Sequence, residues 1–121
     1  PLDLQPTLTG ALVLLRPLQP SDWNAVYAVA SDPLIWQQHP ASDRYQEPVF
    51  RAFFHEALEH AVLRGLDVST GDVIGSTRYH GYDQTLGVVE IGWTFLARSH
   101  WGGRYNGEIK QLLLDHAFSD V

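Results

Sequence analysis

The stretch most informative about chemistry lies between positions 89 and 118, in VEIGWTFLARSHWGGRYNGEIKQLLLDHAF. The segment reads as a β-compatible run, a glycine-containing loop and an amphipathic helix. A helix N-terminus presents unpaired N–H groups and the positive end of its dipole. Gly102, Gly103 and Gly107 let backbone approach a phosphate closely, and Arg104 adds a fixed positive charge. Together they form a diphosphate cradle, although three glycines also serve a plain strand–loop–helix turn. Neither the GxxxxGKS/T loop nor the GxGxxG dinucleotide pattern is present.

Other chemistries lack their residues. The chain has no cysteine, which excludes thiolate zinc sites, iron–sulfur clusters and a cysteine nucleophile. HEALEH at 55–60 superficially resembles a zinc-binding helix, but its histidines are five residues apart. They stand about 140° apart around a helix and cannot share one metal. Ser69, Ser76 and Ser99 lack a nucleophile elbow. Eight basic against 14 acidic residues give a net charge of −6, with Lys110 the single lysine. No basic stripe is available to read nucleic acid.

These side chains need a scaffold, and 121 residues suggest one small domain. A strand is expected over 12–16, after a loose lead-in over 2–10. Ser21 has the character of an N-cap, with Trp23, Val26, Tyr27 and Ala30 on one helical face. A short helical turn is expected over 34–40, then a polar loop over 41–46. Phe50, Phe53, Phe54, Ala57, Leu58, Ala61 and Val62 form the strongest helical stripe, with Gly65 as its expected C-cap. Strands over 73–82 and 88–96, separated by turns, suggest an antiparallel meander. Ile109, Leu112, Leu113, His116 and Ala117 mark a last helix, with His116 against the sheet. The longest apolar run, at 11–15, is far below the ~20 residues of a membrane span. Residues 1–10 lack the basic and apolar regions of a signal peptide, so a cytoplasmic location is expected.

The blocks LVLLRPLQPSDW, ASDPLIWQQHP, STGDVIGSTRYHGYD, VEIGWTFL and HWGGRYNGEIKQLLLDHAF carry a family resemblance over nearly the whole chain. The sequence resembles the GNAT N-acetyltransferases, in particular the RimJ/RimL-type branch that acetylates protein N-termini and related amines. The resemblance implies a mixed α/β (α+β) fold with a largely antiparallel twisted sheet flanked by helices. It also implies acetyl-CoA as co-substrate. Backbone at Phe95 and Leu96 would pair with the pantetheine arm. Amides of Trp101, Gly102, Gly103, Arg104, Tyr105, Asn106 and Gly107 would hold the pyrophosphate. Arg104 and Asn106 stand where the family pattern has Gly and Gly or Ala.

Acetyl transfer to an amine needs a base for the amine proton and a donor for the oxyanion. Glu90 is the first candidate base, against the alternative of a solvated strand residue. Strand alternation puts Glu90, Gly92 and Thr94 on one face, opposite Ile91, Trp93 and Phe95. Tyr79, His80 and Tyr82 are candidates for lining the acceptor cleft, or for ordinary cross-strand packing. Trp36, Gln37 and His39 fall in the segment where the family forms one acceptor wall, with a buried structural Trp36 as the alternative.

The expected partner is an amine, on a peptide N-terminus or a small molecule, with no nucleic acid or membrane partner and a homodimer left open. The alternative function is a CoA-binding or interaction module without catalysis. Relative to the family, the chain is expected to be incomplete at its C-terminus and to lack the C-terminal strands. Only about 66–68 remain for the strand before the STGD turn, so residues near 65–66 are expected to be omitted.

Overall fold

The computed structural model describes residues 2–37, 39–60 and 62–119, and only the backbone of Trp93. Strand formation follows from residues that must serve two faces at once. In Val62–Asp67, Val62 packs with the first two helices while its neighbour Leu63 packs beneath the last one. One antiparallel sheet results, its strands side by side in chain order. They are β1 (Leu8–Thr9), β2 (Val13–Pro17), β3 (Val62–Asp67), β4 (Val73–Asp83) and β5 (Val88–Leu96). Helices α1 (Trp23–Ala30) and α2 (Glu47–Leu58) cover one face, and α3 (Arg104–Ser119) covers the other. No described helix is long and apolar enough to cross a membrane.

The core on the α1–α2 side is aromatic. Trp23 stacks on Tyr27 at 5.1 Å and meets Phe54 edge-on at 5.2 Å, while Phe50 is fully buried. On the other side Ile109 and Leu113 of α3 pack on Val13, Leu15, Leu63 and Ile74. Glu108 fixes the start of α3 to the sheet: its Oε1 accepts the amides of Leu12 at 2.8 Å and Val13 at 2.9 Å.

Several boundaries differ from those expected. The lead-in contains β1, with Leu8 opposite Leu15 and Thr9 opposite Leu14. Ser21 is not the cap. It lies in a 3-10 turn, Pro20–Asp22, and the Asp22 carboxylate accepts the Gln19 amide at 2.8 Å and the Arg16 guanidinium at 2.6 Å. Helix α2 stops at Leu58, because the chain turns at Glu59 and His60 to bring Val62 into register with Arg78. Val62 therefore belongs to β3, Ala61 lies outside the described residues, and Gly65 is a mid-strand residue opposite Leu15 and Gly75. The strand before the STGD turn is thus six residues long. His116 packs against the sheet as expected, its ring 6.2 Å from that of Tyr79, and its Nε2–H donates to the Asp3 carbonyl oxygen at 2.8 Å.

Gly75 sets how closely β5 can lie against β4. A Cβ there would stand 1.8 Å from the Phe95 carbonyl oxygen, whereas a Cβ at Gly65 would meet its neighbours no closer than 3.6 Å. Gly75→Ala is therefore expected to lose about 1–3 kcal/mol of stability in urea unfolding, the usual cost of overpacking, and Gly65→Ala to lose far less.

Candidate functional site

The site is set by a break in the β4–β5 ladder. Gly75 pairs with Leu96 and Ser76 with Phe95, but the next pair is Arg78 with Gly92. Thr77 therefore opposes both Trp93 and Thr94, a bulge with one extra residue on β5. The Thr77 and Thr94 hydroxyl oxygens meet at 2.7 Å. The extra residue inverts the facing of everything beyond it. Ile91 packs on the α3 side, while Phe95 turns to the α1–α2 side, 5.1 Å from Trp36 and 5.9 Å from Phe50. Simple alternation, which put Ile91 and Phe95 on one face, fails here. The facing of the Trp93 side chain lies outside the described residues.

A cleft of about 380 Å³ opens beside this end of β5. Ile35, Trp36 and His39 form one wall, and Thr94–Leu96, His100–Gly103, Asn106 and Lys110 form the other. Asp32 ties the walls together. Its Oδ1 accepts the Leu34 amide at 3.0 Å, and its Oδ2 takes the Arg98 guanidinium at 2.5 Å. The Arg98 contact holds the Asp32 carboxyl below its ordinary pKa. Trp36 is buried, with its indole N–H donating to the Ala30 carbonyl at 2.8 Å, so it supports the wall from within. His39 accepts the Ala41 amide on Nδ1 at 2.9 Å, which puts the proton of the neutral ring on Nε2. Burial, then the nearby Arg44 charge, lowers the His39 pKa. This side chain offers the cleft a donor rather than a base.

The glycine loop closes the other side. Gly102 and Gly103 have φ of 112° and 91°, in the region that favours glycine, and a Cβ at either would meet no atom within 4 Å. The first bond across the helix start runs from the Gly107 amide to the Gly103 carbonyl at 2.8 Å, leaving the preceding turn's amides without helical acceptors. The Oδ1 atom of Asn106 is buried against the cleft with no hydrogen-bond partner. Lys110, one turn further on, lines the same space, and Arg104 is exposed at the helix start. The indole N–H of Trp101 donates to the Leu96 carbonyl at 2.9 Å, so that carbonyl on β5 is already engaged.

Two residues not singled out in the sequence hold this loop. His100 Nε2 lies 2.8 Å from Asp67 Oδ2, and Ser99 Oγ lies 2.8 Å from His100 Nδ1. The His100 ring packs edge-on against Tyr105 at 4.6 Å, and Tyr105 also donates to Asp67 at 3.4 Å. Asp67 in turn accepts the Ser69 amide and hydroxyl at 2.9 and 2.8 Å. These contacts, His100 first, hold the Asp67 carboxyl down at about 2. An ionised Asp67 accepts from Nε2–H and leaves His100 Nδ1 to accept from Ser99. Tyr105 thus contributes its side chain to the clamp and its amide to the helix start. A separation of 33 positions between Asp67 and His100 hides the pair in the sequence; only the position of His100 at the head of HWGGRYNG hints at it.

The remaining candidates are placed apart. Glu90 pairs across the strands with His80, Oε2 to Nδ1 3.3 Å, and its side chain is 66% exposed. Neither residue lines the cleft. Tyr79 is fully buried on the α3 side and donates to the Leu113 carbonyl, so it cannot line an acceptor cleft. Tyr82 is half-buried, with its hydroxyl accepting the Leu2 amide at 3.2 Å. Gln37 faces a shallow hollow with Leu34, Ile35, His39 and Trp101.

Comparison with known proteins gives these features a context. The family described as "Acetyltransferase (GNAT) domain" matches residues 13–121. An "Uncharacterized N-acetyltransferase p20" from Bacillus licheniformis is 38% identical over 52 residues, covering 43% of this chain and 29% of the relative. A GNAT-family acetyltransferase from Bacillus anthracis superposes with a TM-score of 0.80 at 20% identity, over 95% of this chain and 68% of that one. A GCN5-related N-acetyltransferase from Brucella melitensis gives 0.85 at 19% identity, over 98% and 57%. At these identities the solved structures establish the fold. The chain spans under a third of the curated relative and between 57% and 68% of these two structures.

The Asp67 clamp has a definite pH signature. Its folded pKa of about 2 lies below the ordinary carboxylate value of about 3.9. Its contribution is therefore complete above about pH 4 and is lost as pH falls through 2. Asp67→Asn is expected to be less stable than the parent in urea unfolding at pH 6, with the gap narrowing steadily from pH 4 to pH 2.5. A gap unchanged over that range would remove the clamp from the account.

Proposed function

The chain belongs to the GNAT acetyltransferase domain family, and from that premise we propose that it transfers acetyl from acetyl-CoA to a primary amine. The amine is one of the type used by the RimJ/RimL branch: a protein N-terminus or a small cationic amine. The observation that carries this reading is the cleft in which the bulged end of β5 meets the glycine start of α3. When bound, the co-substrate supplies an acetyl thioester activated for attack.

The residues present fit that group. Gly102 and Gly103 leave open the volume a Cβ would fill, and the first-turn amides of α3 provide donors for a diphosphate. Arg104 and Lys110 supply positive charge in a chain that is otherwise acidic. The unpartnered Asn106 oxygen accepts a donor from a ligand in the cleft. Backbone at Phe95 and Leu96 runs along the edge of the described sheet, where an extended arm can add as a strand. At Leu96 such an arm competes with the Trp101 indole for one carbonyl. The amine proton leaves through Glu90 of β5 and His80 of β4, a cross-strand pair further along the ladder.

Thiol release from acetyl-CoA with a panel of amines tests the reading. Turnover is expected with a peptide bearing a free N-terminus or with a small primary amine. Gly103→Val is expected to weaken acetyl-CoA binding by roughly ten- to a hundredfold, because a β-branched residue at positive φ costs about 1–3 kcal/mol and moves the loop away from its cradle shape. Binding of acetyl-CoA with no thiol release from any amine would make the chain a CoA-binding module instead.

A further inference from the structure

We propose that the proton acceptor at this site is His80 Nε2, and that Glu90 acts as a positioning residue for the imidazole. The inference rests on the acetyl-transfer reading and specifies the group that completes it. His80 and Glu90 are direct partners on the β4–β5 ladder, so both side chains leave the same face. Glu90 Oε2 lies 3.3 Å from His80 Nδ1, an ion-pair distance, and the charge of the carboxylate favours the neutral tautomer with its proton on Nδ1. The lone pair is then on Nε2.

Where Nε2 lies is recorded by a glycine. A Cβ built on Gly92 would stand 2.8 Å from His80 Nε2 and 3.1 Å from Cδ2. The ring therefore leans diagonally from Glu90 over the bare backbone of Gly92, toward the end of β5 where Thr94 and Phe95 line the cleft. Any side chain at position 92 would push the ring away. Glu90 itself is two residues further from the cleft and its side chain is twice as exposed as that of His80, 66% against 32%. Imidazole is also the side-chain type whose proton exchange falls nearest neutral pH. Along this face Arg78 lies two residues away on β4 and interacts electrostatically with Glu56 of α2, and further across the sheet lie Arg64 and the Arg16–Asp22 pair.

The step balances as follows. Nε2 takes one proton from the substrate ammonium and passes it to solvent. The neutral amine forms the C–N bond as the thioester C–S bond breaks. The second nitrogen proton ends on the leaving thiolate, and no redox partner is needed.

Two measurements on the whole chain test this. In ¹⁵N NMR at neutral pH, His80 is expected as the Nδ1–H tautomer with Nε2 unprotonated; the Nε2–H tautomer would overturn the proposal. In kinetics, His80→Gln is expected to lower kcat about 100-fold and to remove its acidic limb, with the KM for acetyl-CoA unchanged. Glu90→Gln is expected to lose less and to keep the limb. Thermal unfolding checks that both variants fold. Turnover in which His80→Gln keeps the parent kcat and limb, or in which Glu90→Gln alone abolishes the limb, overturns the assignment of the base only. A parent protein that binds acetyl-CoA but releases no thiol overturns acetyl transfer and this assignment together.

Discussion

The one-residue mismatch between β4 and β5 is the constraint on which the site depends. Below it, β5 presents Ile91 to the α3 side and Gly92 to the other. Above it, Phe95 is driven into the aromatic core with Trp36 and Phe50, and Leu96 is driven under α3. Two large side chains anchored in opposite cores hold the end of the strand from both faces. That rigid end leaves its outer edge beside the cleft and aims the chain toward the glycine loop. The Thr77–Thr94 contact and the missing Cβ at Gly75 are the local conditions that let the strands close around the extra residue.

Polar side chains then locate the loops relative to that strand. Asp32 joins the Leu34 turn to Arg98, and Asp67 joins the β3–β4 turn to His100 and Tyr105. Both carboxylates accept several hydrogen bonds, and both are held in the ionised form by them. Glu108 does the same for α3 by accepting two amides at the start of β2. Three acids thus position the glycine loop without entering it; the amides of Trp101 and Gly107 bond to the Arg98 and Gly103 carbonyls, and those between them face a ligand. Some of the excess negative charge of the chain is consumed in this structural work.

The sequence showed clearly what is local. The block from Val89 to Phe118 gave the strand, the loop and the helix in their observed order, and β5 has the expected bounds. The glycine loop and the aromatic stripe of α2 were equally legible, because each depends on neighbours within a few residues. What escaped depends on distant partners. Val62 continued the helical stripe by spacing alone, and only its pairing with Arg78 places it in a strand. Tyr79 looked available on an open strand, but α3 arrives 34 residues later to bury it. A bulge leaves no mark on alternation, so alternation alone puts Phe95 on the wrong face. The Asp67–His100 clamp joins two loops that share no pattern.

The central claim is that the end of β5 and the start of α3 form one ligand site. Backbone amide NMR with coenzyme A added in steps tests it most directly. The account predicts shifts concentrated at Thr94–Leu96 and Trp101–Gly107, with smaller changes at His100 and none on the exposed faces of α1 and α2. Shifts centred elsewhere, or none at millimolar ligand, would contradict it.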